Sequence, residues 1–330
     1  MTDTLPKIDL HCHLEGTASP ELIQQLARLN DIPLPEGLLS DHGAFLWTDF
    51  VDFLRTYDLA SSCIRTAEDY RLVTYEYLKE CAAQGGIYSE FFISPDHAAA
   101  NGLSYRQQLD GVVRGIEQAE QDYAIIGRII ITCVRHLGPD NAIDVARSAL
   151  SLPHPYVVGF GMAGDENQYT AVDFRAAFQL AYEGGLKCTA HAGEMAGPES
   201  IHDALKHLPI ARIGHGVRSV EDPKLVQTLA KNNILLEICP GSNLAIGIYA
   251  GINEHPLGEL IARGCKVALG TDDPPYFDTS LCKEYHRAIH DFSLSPETVD
   301  HLNQNAIDGA FCDDTTKTLL KTRLRKHIEW

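Results

Sequence analysis

The chain reads Lys7-Ile8-Asp9-Leu10-His11-Cys12-His13-Leu14-Glu15-Gly16 close to its N-terminus. Apolar residues alternate with Asp9, His11 and His13 along this stretch, which is the pattern of a short β-strand. Residues two apart on a strand point to the same side, so the two imidazoles leave one face together. Such a pair either makes ordinary hydrogen bonds or begins a metal site, since neutral imidazole is a common metal ligand. The other strands must decide between the two.

Seven more strand-like runs follow, and segments with helical periodicity separate them. The runs are rich in Val, Ile, Phe and Thr, and several lack polar alternation, which is typical of strands covered on both faces. Strands are expected at residues 8–14, 87–94, 125–134, 157–162, 187–192, 212–215, 234–239 and 266–271. Helices are expected at residues 20–29, 67–84, 105–123, 141–150, 171–183, 200–208, 222–232 and 256–262.

Eight strand–helix alternations predict an α/β fold of the (β/α)8 TIM-barrel type, in one domain over residues 1–330. A doubly wound sheet is the alternative, but no Gly-x-Gly-x-x-Gly motif follows an early strand. Residues 31–60 are surplus to the alternation. Within them, the helix-like stretch from Phe45 to Leu59 is more apolar than a solvated helix needs. It packs either on the barrel wall or over the barrel mouth, and the predicted fold includes it as an extra helical flap inserted after the first strand.

Composition limits the classes of partner. The net charge of −18 disfavours nucleic acid and anionic membranes, which would both be repelled, whereas a small neutral molecule is not. We find neither an apolar run of membrane-spanning length nor an export signal. The nine cysteines are scattered without a Cys-x-x-Cys pair, which is typical of reduced thiols in a cytoplasm. We expect a cytoplasmic protein, and association into a homo-oligomer stays open.

Three other predicted strands end in residues that suit chemistry. The fifth ends with His191 followed by Glu194, the sixth with His215, and the eighth with Asp272 and Asp273. Each alone has an ordinary explanation as a buried histidine or a turn. In a TIM barrel, however, functional residues gather at the C-terminal ends of the strands. The predicted fold therefore brings all of them to the end that carries His11 and His13.

The chemistry of these residues predicts a metal-dependent hydrolase. His11, His13, His191 and Asp272 form a donor set that suits Zn²⁺, although Fe²⁺ or Mn²⁺ could occupy it. Bound zinc lowers the pKa of a water molecule towards ~7. We expect one Zn²⁺ per chain, because residues 158–166 lack the lysine with which many barrel hydrolases bridge two metals.

Roles for the remaining residues follow from their chemistry. Asp272 could accept the proton of the water, and Glu194 could donate a proton to the substrate. His215 could orient the activated water and stabilise developing charge. Asp273 could hold a polar atom of the substrate.

The motifs resemble those of the adenosine and adenine deaminase family of metal-dependent barrel hydrolases, most of all the bacterial adenosine deaminases. They occur in family order from residue 6 to about residue 290. The matching pieces are residues 6–16, Ala163-Gly164-Asp165-Glu166, His191-Ala192-Gly193-Glu194, Gly197-Pro198-Glu199-Ser200, Arg212-Ile213-Gly214-His215-Gly216-Val217, Cys239-Pro240-Gly241-Ser242-Asn243 and Thr271-Asp272-Asp273-Pro274.

The resemblance implies hydrolytic deamination at C6 of a 6-aminopurine. By matching motif, Glu194 would protonate N1, Asp273 would contact N7 and the backbone of Gly164 would meet N3. His215 would steer the attacking hydroxide, and Asp272 would serve both metal and catalysis. The predicted substrate-binding residues are His13, Glu15, Gly164 and Asp273.

Departures from the family pattern bear on the substrate. Adenosine deaminases typically carry Asp at the position of Glu15. This chain has Glu there, as do the adenine deaminases and some other members, and Gly161 replaces a usual Asp. Other motifs look more like the nucleoside enzymes. We expect adenosine or a related nucleoside, giving inosine and ammonia. The alternatives are adenine, giving hypoxanthine, or a modified nucleoside such as aminodeoxyfutalosine. A different barrel hydrolase, such as a cyclic amidase or phosphotriesterase, and a non-catalytic purine-binding barrel are the competing classes.

Overall fold

Eight parallel strands form one sheet whose strand order follows the chain order, in a computed structural model that describes residues 5–328. The strands are β1 (Lys7–Asp9), β2 (Gly86–Ile93), β3 (Ile126–Val134), β4 (Val157–Ala163), β5 (Lys187–Ala192), β6 (Ile210–His215), β7 (Leu235–Ile238) and β8 (Lys266–Leu269). Beyond β1 the chain pairs with the segment that follows β8, where the backbone N–H of His13 donates to the carbonyl of Asp272 at 3.0 Å. The predicted (β/α)8 barrel is confirmed. The expected absence of an export signal concerns the start of the chain, of which residues 1–4 lie outside the described residues.

Fourteen α-helices surround the strands within the described part of the chain. They are α1 (Pro20–Leu29), α2 (Phe50–Ser61), α3 (Ala67–Ala83), α4 (Pro95–Ala100), α5 (Tyr105–Tyr123), α6 (Pro139–Ser151), α7 (Arg175–Glu183), α8 (Pro198–His207), α9 (Pro223–Asn232), α10 (Pro240–Ala245), α11 (Leu257–Ala262), α12 (Leu281–His286), α13 (Pro296–Gly309) and α14 (Asp314–Ile328). None of the helices over residues 5–328 has the length and apolar composition needed to cross a bilayer. Eight of the nine cysteines are buried, as expected of small apolar core residues.

Local sequence chemistry explains the helix boundaries that were predicted correctly. Helices α1 and α5 have the predicted bounds because Ser19 and Ser104 cap them by accepting backbone N–H groups of the first turn. The predicted helix at 171–183 is instead a 3₁₀ turn, Ala171–Phe174, followed by α7. Helices α4, α10, α12, α13 and α14 were not predicted.

The surplus segment lies over the mouth of the barrel. Its helix, α2, begins at Phe50, five residues later than the predicted stretch, because Asp49 caps it. The indole N–H of Trp47 donates to the carbonyl of Tyr276 at 3.3 Å, and the ring of Phe45 stacks on that of Tyr276 at 4.1 Å. Since Tyr276 follows β8, these contacts place the segment at the strand ends rather than on the barrel wall. Movement of the flap stays a prediction.

A buried ion-pair network crosses the barrel interior below the strand ends. The guanidinium of Arg212 pairs with Glu90 at 2.6 Å and with Glu237, and all three side chains are almost fully buried. Removing one partner of such a network leaves a buried charge without a counter-charge and lowers the stability of the fold by about 3–5 kcal/mol. The network therefore holds Glu237 in a fixed orientation, and Glu237 reaches the histidine cluster above it.

Candidate active site

Four side chains predicted to bind metal meet at the C-terminal end of the barrel. The Nε2 atom of His191 lies 3.1 Å from that of His11 and 3.2 Å from that of His13. The carboxylate of Asp272 lies 3.2 Å from His13 Nε2 and 3.5 Å from His11 Nε2. All four residues are buried, and their donor atoms lie within 4.8 Å of one another. Three separate strand ends thus deliver three imidazoles and one carboxylate to one point.

The spacing of these donors fits a small divalent cation. Ligand atoms about 2.0–2.1 Å from a tetrahedral zinc ion lie about 3.3 Å from each other, which is within the observed range of donor separations. The Nδ1 atoms of His11 and His191 are held by the Glu237 carboxylate at 2.7 Å and the Met162 carbonyl at 2.9 Å. These acceptors place the imidazole protons on Nδ1 and leave the Nε2 lone pairs free to bind a metal. The donor set also suits Fe²⁺ or Mn²⁺.

Electrostatics at the cluster favour positive charge. Burial lowers the pKa of His11, yet hydrogen bonds to Asp272 and Glu237 outweigh it and raise that pKa to about 10. Burial tends to raise the pKa of Asp272, but hydrogen bonds from His11 and His13 hold it well below its usual range. Burial and the neighbouring imidazoles lower the pKa of His191. The carboxylates of Asp272 and Glu237 therefore stabilise a positive charge among the imidazoles, whether it is a proton or a metal ion.

Two functional candidates occupy strained backbone positions. His215 and Asp272 have φ angles of +59° and +62°, in the left-handed region that non-glycine residues rarely adopt. Each such position costs on the order of 1–3 kcal/mol and persists only where the surroundings enforce it. The strain turns both side chains inward at the ends of their strands.

Glu194 has the properties of a proton donor. Its side chain is buried, and its Oε1 lies 3.4 Å from His215 Nε2. Burial, together with the charges of Asp272 and Glu166, raises its pKa well above the ordinary value. The raised pKa favours the protonated form of Glu194. Burial lowers the pKa of His215 to about 3, so this imidazole is neutral.

Glu166 builds the turn that carries Glu194, a role that the sequence reasoning missed. Its buried carboxylate accepts the backbone N–H groups of residues 193–196 and the hydroxyl of Ser200. The carboxylate thereby neutralises a concave cluster of backbone donors. Although Glu166 lies in the quoted motif at the end of β4, the motif indicated no role for it.

One cavity brings the predicted substrate-binding residues together with the metal cluster. His13, Glu15, Gly164 and Asp273 all line it, as do Glu194 and Asp272. Apolar and aromatic side chains of α2 form the wall contributed by the flap: Phe50, Phe53, Leu54 and Tyr57. Gly16 has to be glycine, because a Cβ there would lie 1.8 Å from the Asp273 carboxylate. Burial and the charges of Asp272 and Glu194 raise the pKa of Asp273 well above its usual range.

Glu15 is held in the cavity by donors from four elements. Its Oε1 accepts from the Tyr70 hydroxyl at 3.3 Å, the Ser94 backbone N–H at 3.2 Å and the Gln108 amide at 3.2 Å. Its Oε2 lies 3.5 Å from the hydroxyl of Tyr57 on α2. These partners were not predicted, because each lies far from Glu15 in the sequence. The network ties the flap helix to the strand end that carries the histidine pair.

Some further supporting residues left a signal in the sequence. Glu237 is a lone acid in the otherwise apolar run Leu235-Leu236-Glu237-Ile238, which indicates a buried partner. Arg212 likewise interrupts a buried strand. Asn243 belongs to a quoted motif, but only the structure shows that its amide contacts His215 Nδ1 at 3.0 Å.

Comparison with known proteins identifies similar chains over nearly the whole length. Residues 6–327 match the protein family described as "Adenosine deaminase". The adenine deaminase of Chelativorans sp. is 46% identical over 325 residues, which cover 98% of this chain and 99% of that protein. The crystal structure of an adenine deaminase from Arthrobacter aurescens superposes with a TM-score of 0.92 at 29% identity, covering 99% and 100% of the two chains. The N6-methyl-AMP deaminase of Arabidopsis thaliana superposes with a TM-score of 0.85 at 26% identity, covering 98% and 97%.

Proposed function

The chain belongs to the adenosine deaminase family and is a hydrolase that deaminates adenine-like purines, and on this premise we propose that its substrate is adenine. Water replaces the C6 amino group, so that adenine and water give hypoxanthine and ammonia. The observation that carries this proposal is the 46% identity, over 98% of the chain, to a relative named adenine deaminase. Adenosine, the substrate first expected from the motifs, is less well supported than the alternative, adenine.

Glu15 supports the choice of the free base. Adenine and adenosine differ at N9, which bears a hydrogen in the base and a ribose in the nucleoside. Glu15 places an acceptor in the cavity, where donors from four elements hold it. An acceptor suits the N9–H group of the base, whereas N9 of the nucleoside carries the ribose and has no hydrogen to donate. Glutamate is also one methylene longer than the aspartate typical of adenosine deaminases, and so takes up more of the cavity.

The cavity lining disfavours a nucleotide. Five carboxyl groups face it, those of Glu15, Asp58, Glu194, Asp272 and Asp273. A phosphate group brought next to ionised carboxylates such as Asp272 is repelled. We therefore do not propose a nucleotide as the substrate, although the chain is similar to a deaminase of N6-methyl-AMP.

We propose that His11, His13, His191 and Asp272 hold one Zn²⁺ per chain. When bound, this ion would supply a water that loses its proton near neutral pH. The fit rests on the donor spacing and on the acceptors that hold Nδ1 of His11 and His191. Fe²⁺ and Mn²⁺ are the competing ions for the same donors.

The side chains around the cavity divide the proton transfers between them. Asp272, which is ionised, accepts the proton of the attacking water and then gives it to the departing amino group, which leaves as ammonia. Glu194, whose raised pKa favours the protonated form, donates to N1 of the purine as the water adds to C6. Asp273, whose pKa is raised, donates a hydrogen bond to the acceptor N7. The backbone N–H of Gly164 donates a hydrogen bond to N3, and His215 orients the water.

A panel of purines tests this assignment. The zinc-loaded protein is incubated separately with adenine, adenosine, N6-methyl-AMP and aminodeoxyfutalosine, and ammonia release is measured. We expect the highest kcat/KM with adenine. Preference for any of the other three would replace the proposed substrate, and no release from any aminopurine would favour a different barrel hydrolase.

Variants of Glu15 test the residue basis of the choice. Glu15→Gln should lower kcat/KM for adenine about 10- to 100-fold, because a hydrogen bond to a charged acceptor is worth about 1.5–3 kcal/mol. Glu15→Asp should raise the ratio of adenosine to adenine turnover. Glu36→Asp, in an exposed loop, is the matched control and should change neither value. An unchanged ratio in Glu15→Asp would exclude Glu15 as the discriminating residue.

A further inference from the structure

Three buried side chains form a hydrogen-bonded chain that leads away from the metal cluster. The amide nitrogen of Asn243 lies 3.0 Å from Nδ1 of His215, and Nε2 of His255 lies 3.1 Å from the amide oxygen of Asn243. The backbone N–H of Leu257 then donates to Nδ1 of His255 at 3.3 Å. His215 and Asn243 are fully buried, and His255 is 6% exposed. The rings of Tyr249 and Phe292 pack edge-on against His255 at 5.2 and 5.3 Å.

The backbone amide fixes the direction of every hydrogen bond in this chain. An amide N–H can only donate, so Nδ1 of His255 must accept, and its proton lies on Nε2. His255 then donates to the oxygen of Asn243, which turns the amide NH₂ towards His215. Nδ1 of His215 accepts in turn, and its proton lies on Nε2. The reversed arrangement would set the N–H of Leu257 against an N–H of His255 in a buried site, which leaves two donors without acceptors.

The His215 end of this hydrogen-bonded chain of side chains faces the catalytic groups. Nε2 of His215 has no hydrogen-bond partner among the described residues. It lies 3.4 Å from Glu194 Oε1 and 3.9 Å from Asp272 Oδ2. The proton on Nε2 is therefore presented between the proposed acid and the proposed base.

We infer that Asn243 and His255 are positioning residues that hold neutral His215 as the tautomer with its proton on Nε2. In this form His215 donates a hydrogen bond to the attacking water and cannot remove its proton, so the proton passes to Asp272. The catalytic meaning of the tautomer rests on the proposed function, whereas the tautomer itself does not. Asn243 suits this position because its amide presents a donor to one histidine and an acceptor to the other.

The hydrogen bonds from His255 through Asn243 to His215 form a relay. Asn243→Asp reverses the bond between residue 243 and His215 with almost no change of shape. A carboxylate only accepts, so it keeps the bond from His255 but draws the proton of His215 onto Nδ1. Nε2 of His215 then loses its donor function. His255→Gln keeps a donor for the Asn243 oxygen, whereas His255→Leu removes it. Asn232→Asp, at the exposed end of α9, is the matched control for the added charge.

The test combines histidine NMR with kinetics on the zinc-loaded protein. Two-bond ¹⁵N–¹H correlations of ¹⁵N-histidine-labelled protein identify the protonated nitrogen of His215, with the signal assigned by its loss in His215→Gln. We expect Nε2–H in the wild type and Nδ1–H in Asn243→Asp. We also expect kcat for adenine to fall at least about 100-fold in that variant, as on removal of one transition-state donor. KM and bound zinc should stay close to wild type.

The outcomes separate the relay from the proposed function. Nδ1–H on His215 in the wild type overturns the relay whatever the activity, and this spectrum decides the matter even if Asn243→Asp does not fold. Full kcat in a folded Asn243→Asp, or equal kcat in His255→Gln and His255→Leu, also overturns it. The expected tautomers in a protein that releases no ammonia from adenine uphold the relay and overturn the proposed substrate.

Discussion

Glu237→Gln tests whether Glu237 keeps the proton of His11 on Nδ1 and so leaves its Nε2 atom free to bind a metal. The Glu237 carboxylate accepts from His11 Nδ1 at 2.7 Å, from the hydroxyl of Thr189 at 3.1 Å and from Arg212. Glutamine has nearly the same shape but carries one acceptor and one donor. If its NH₂ faces His11, the imidazole proton moves to Nε2 and blocks the metal-binding atom. If its NH₂ faces Arg212 instead, a donor meets a buried cation.

Either orientation should weaken metal binding. Loss of the carboxylate partner of a metal-binding histidine typically costs 10- to 100-fold in metal affinity, or about 1.4–2.7 kcal/mol. Because Glu237 also pairs with Arg212, the variant loses stability as well, although Glu90 still neutralises Arg212. The zinc dissociation constant should rise about 10- to 100-fold, and the temperature of unfolding should fall.

The assay is a competition titration of the apo protein with zinc and a chelator of known affinity. Glu90→Gln is the matched control, because it removes the other carboxylate of Arg212 without touching His11. That control should lower the temperature of unfolding and leave zinc affinity close to wild type. A folded Glu237→Gln protein that binds zinc within about twofold of wild type would refute the orienting role of Glu237.

Three further substitutions test separate parts of the site. Glu194→Gln should lower kcat for adenine by about 10²- to 10⁴-fold with bound zinc unchanged in metal analysis, since a general acid supplies about that factor; full activity would remove Glu194 as the acid. Burial and the charges of Asp272 and Glu166 raise the pKa of Glu194, so Glu166→Gln should lower that pKa. Since the proton donor acts when protonated, the alkaline decline of kcat/KM should then begin at lower pH, and an unmoved profile would contradict this. Trp47→Phe keeps an aromatic ring but removes the indole N–H donor to the Tyr276 carbonyl, so it should raise KM for adenine; a KM equal to that of the wild type would show that this bond does not hold the flap.

The fold and the metal cluster could be predicted because both depend on short stretches of sequence. A run of apolar residues indicated each strand, and β4, β5 and β6 lie within a few residues of their predicted bounds. Parallel barrel topology then brings all strand ends to one side. That is why His11, His191 and Asp272 could be expected to meet although they are far apart in the chain.

The supporting contacts could not be predicted, because they depend on side-chain packing between distant elements. Glu15 and Gln108 lie 93 positions apart, and no periodic pattern connects them. The C-terminal helices were missed for a related reason. Helix α14 consists mostly of threonine, lysine and arginine, so few apolar residues mark it, and it packs against the barrel through residues such as Leu320 and Leu324.

The choice between base and nucleoside depended on a single side chain. Glu15 is the residue of the adenine deaminases, whereas the motifs that contain Asp165, His215 and Asp272 look more like those of the nucleoside enzymes. In the structure Glu15 is held by Tyr70, Ser94 and Gln108 and by the flap. The sequence shows the residue but not these partners, and so could not establish that its position in the cavity is fixed.

Direct competition between the two substrates tests the central proposal. The zinc-loaded protein is given equal concentrations of adenine and adenosine in one reaction, and hypoxanthine and inosine are followed by chromatography. The ratio of the initial rates is then the ratio of the two kcat/KM values. We predict that hypoxanthine forms first and that inosine forms only slowly; inosine forming faster than hypoxanthine would contradict adenine as the substrate.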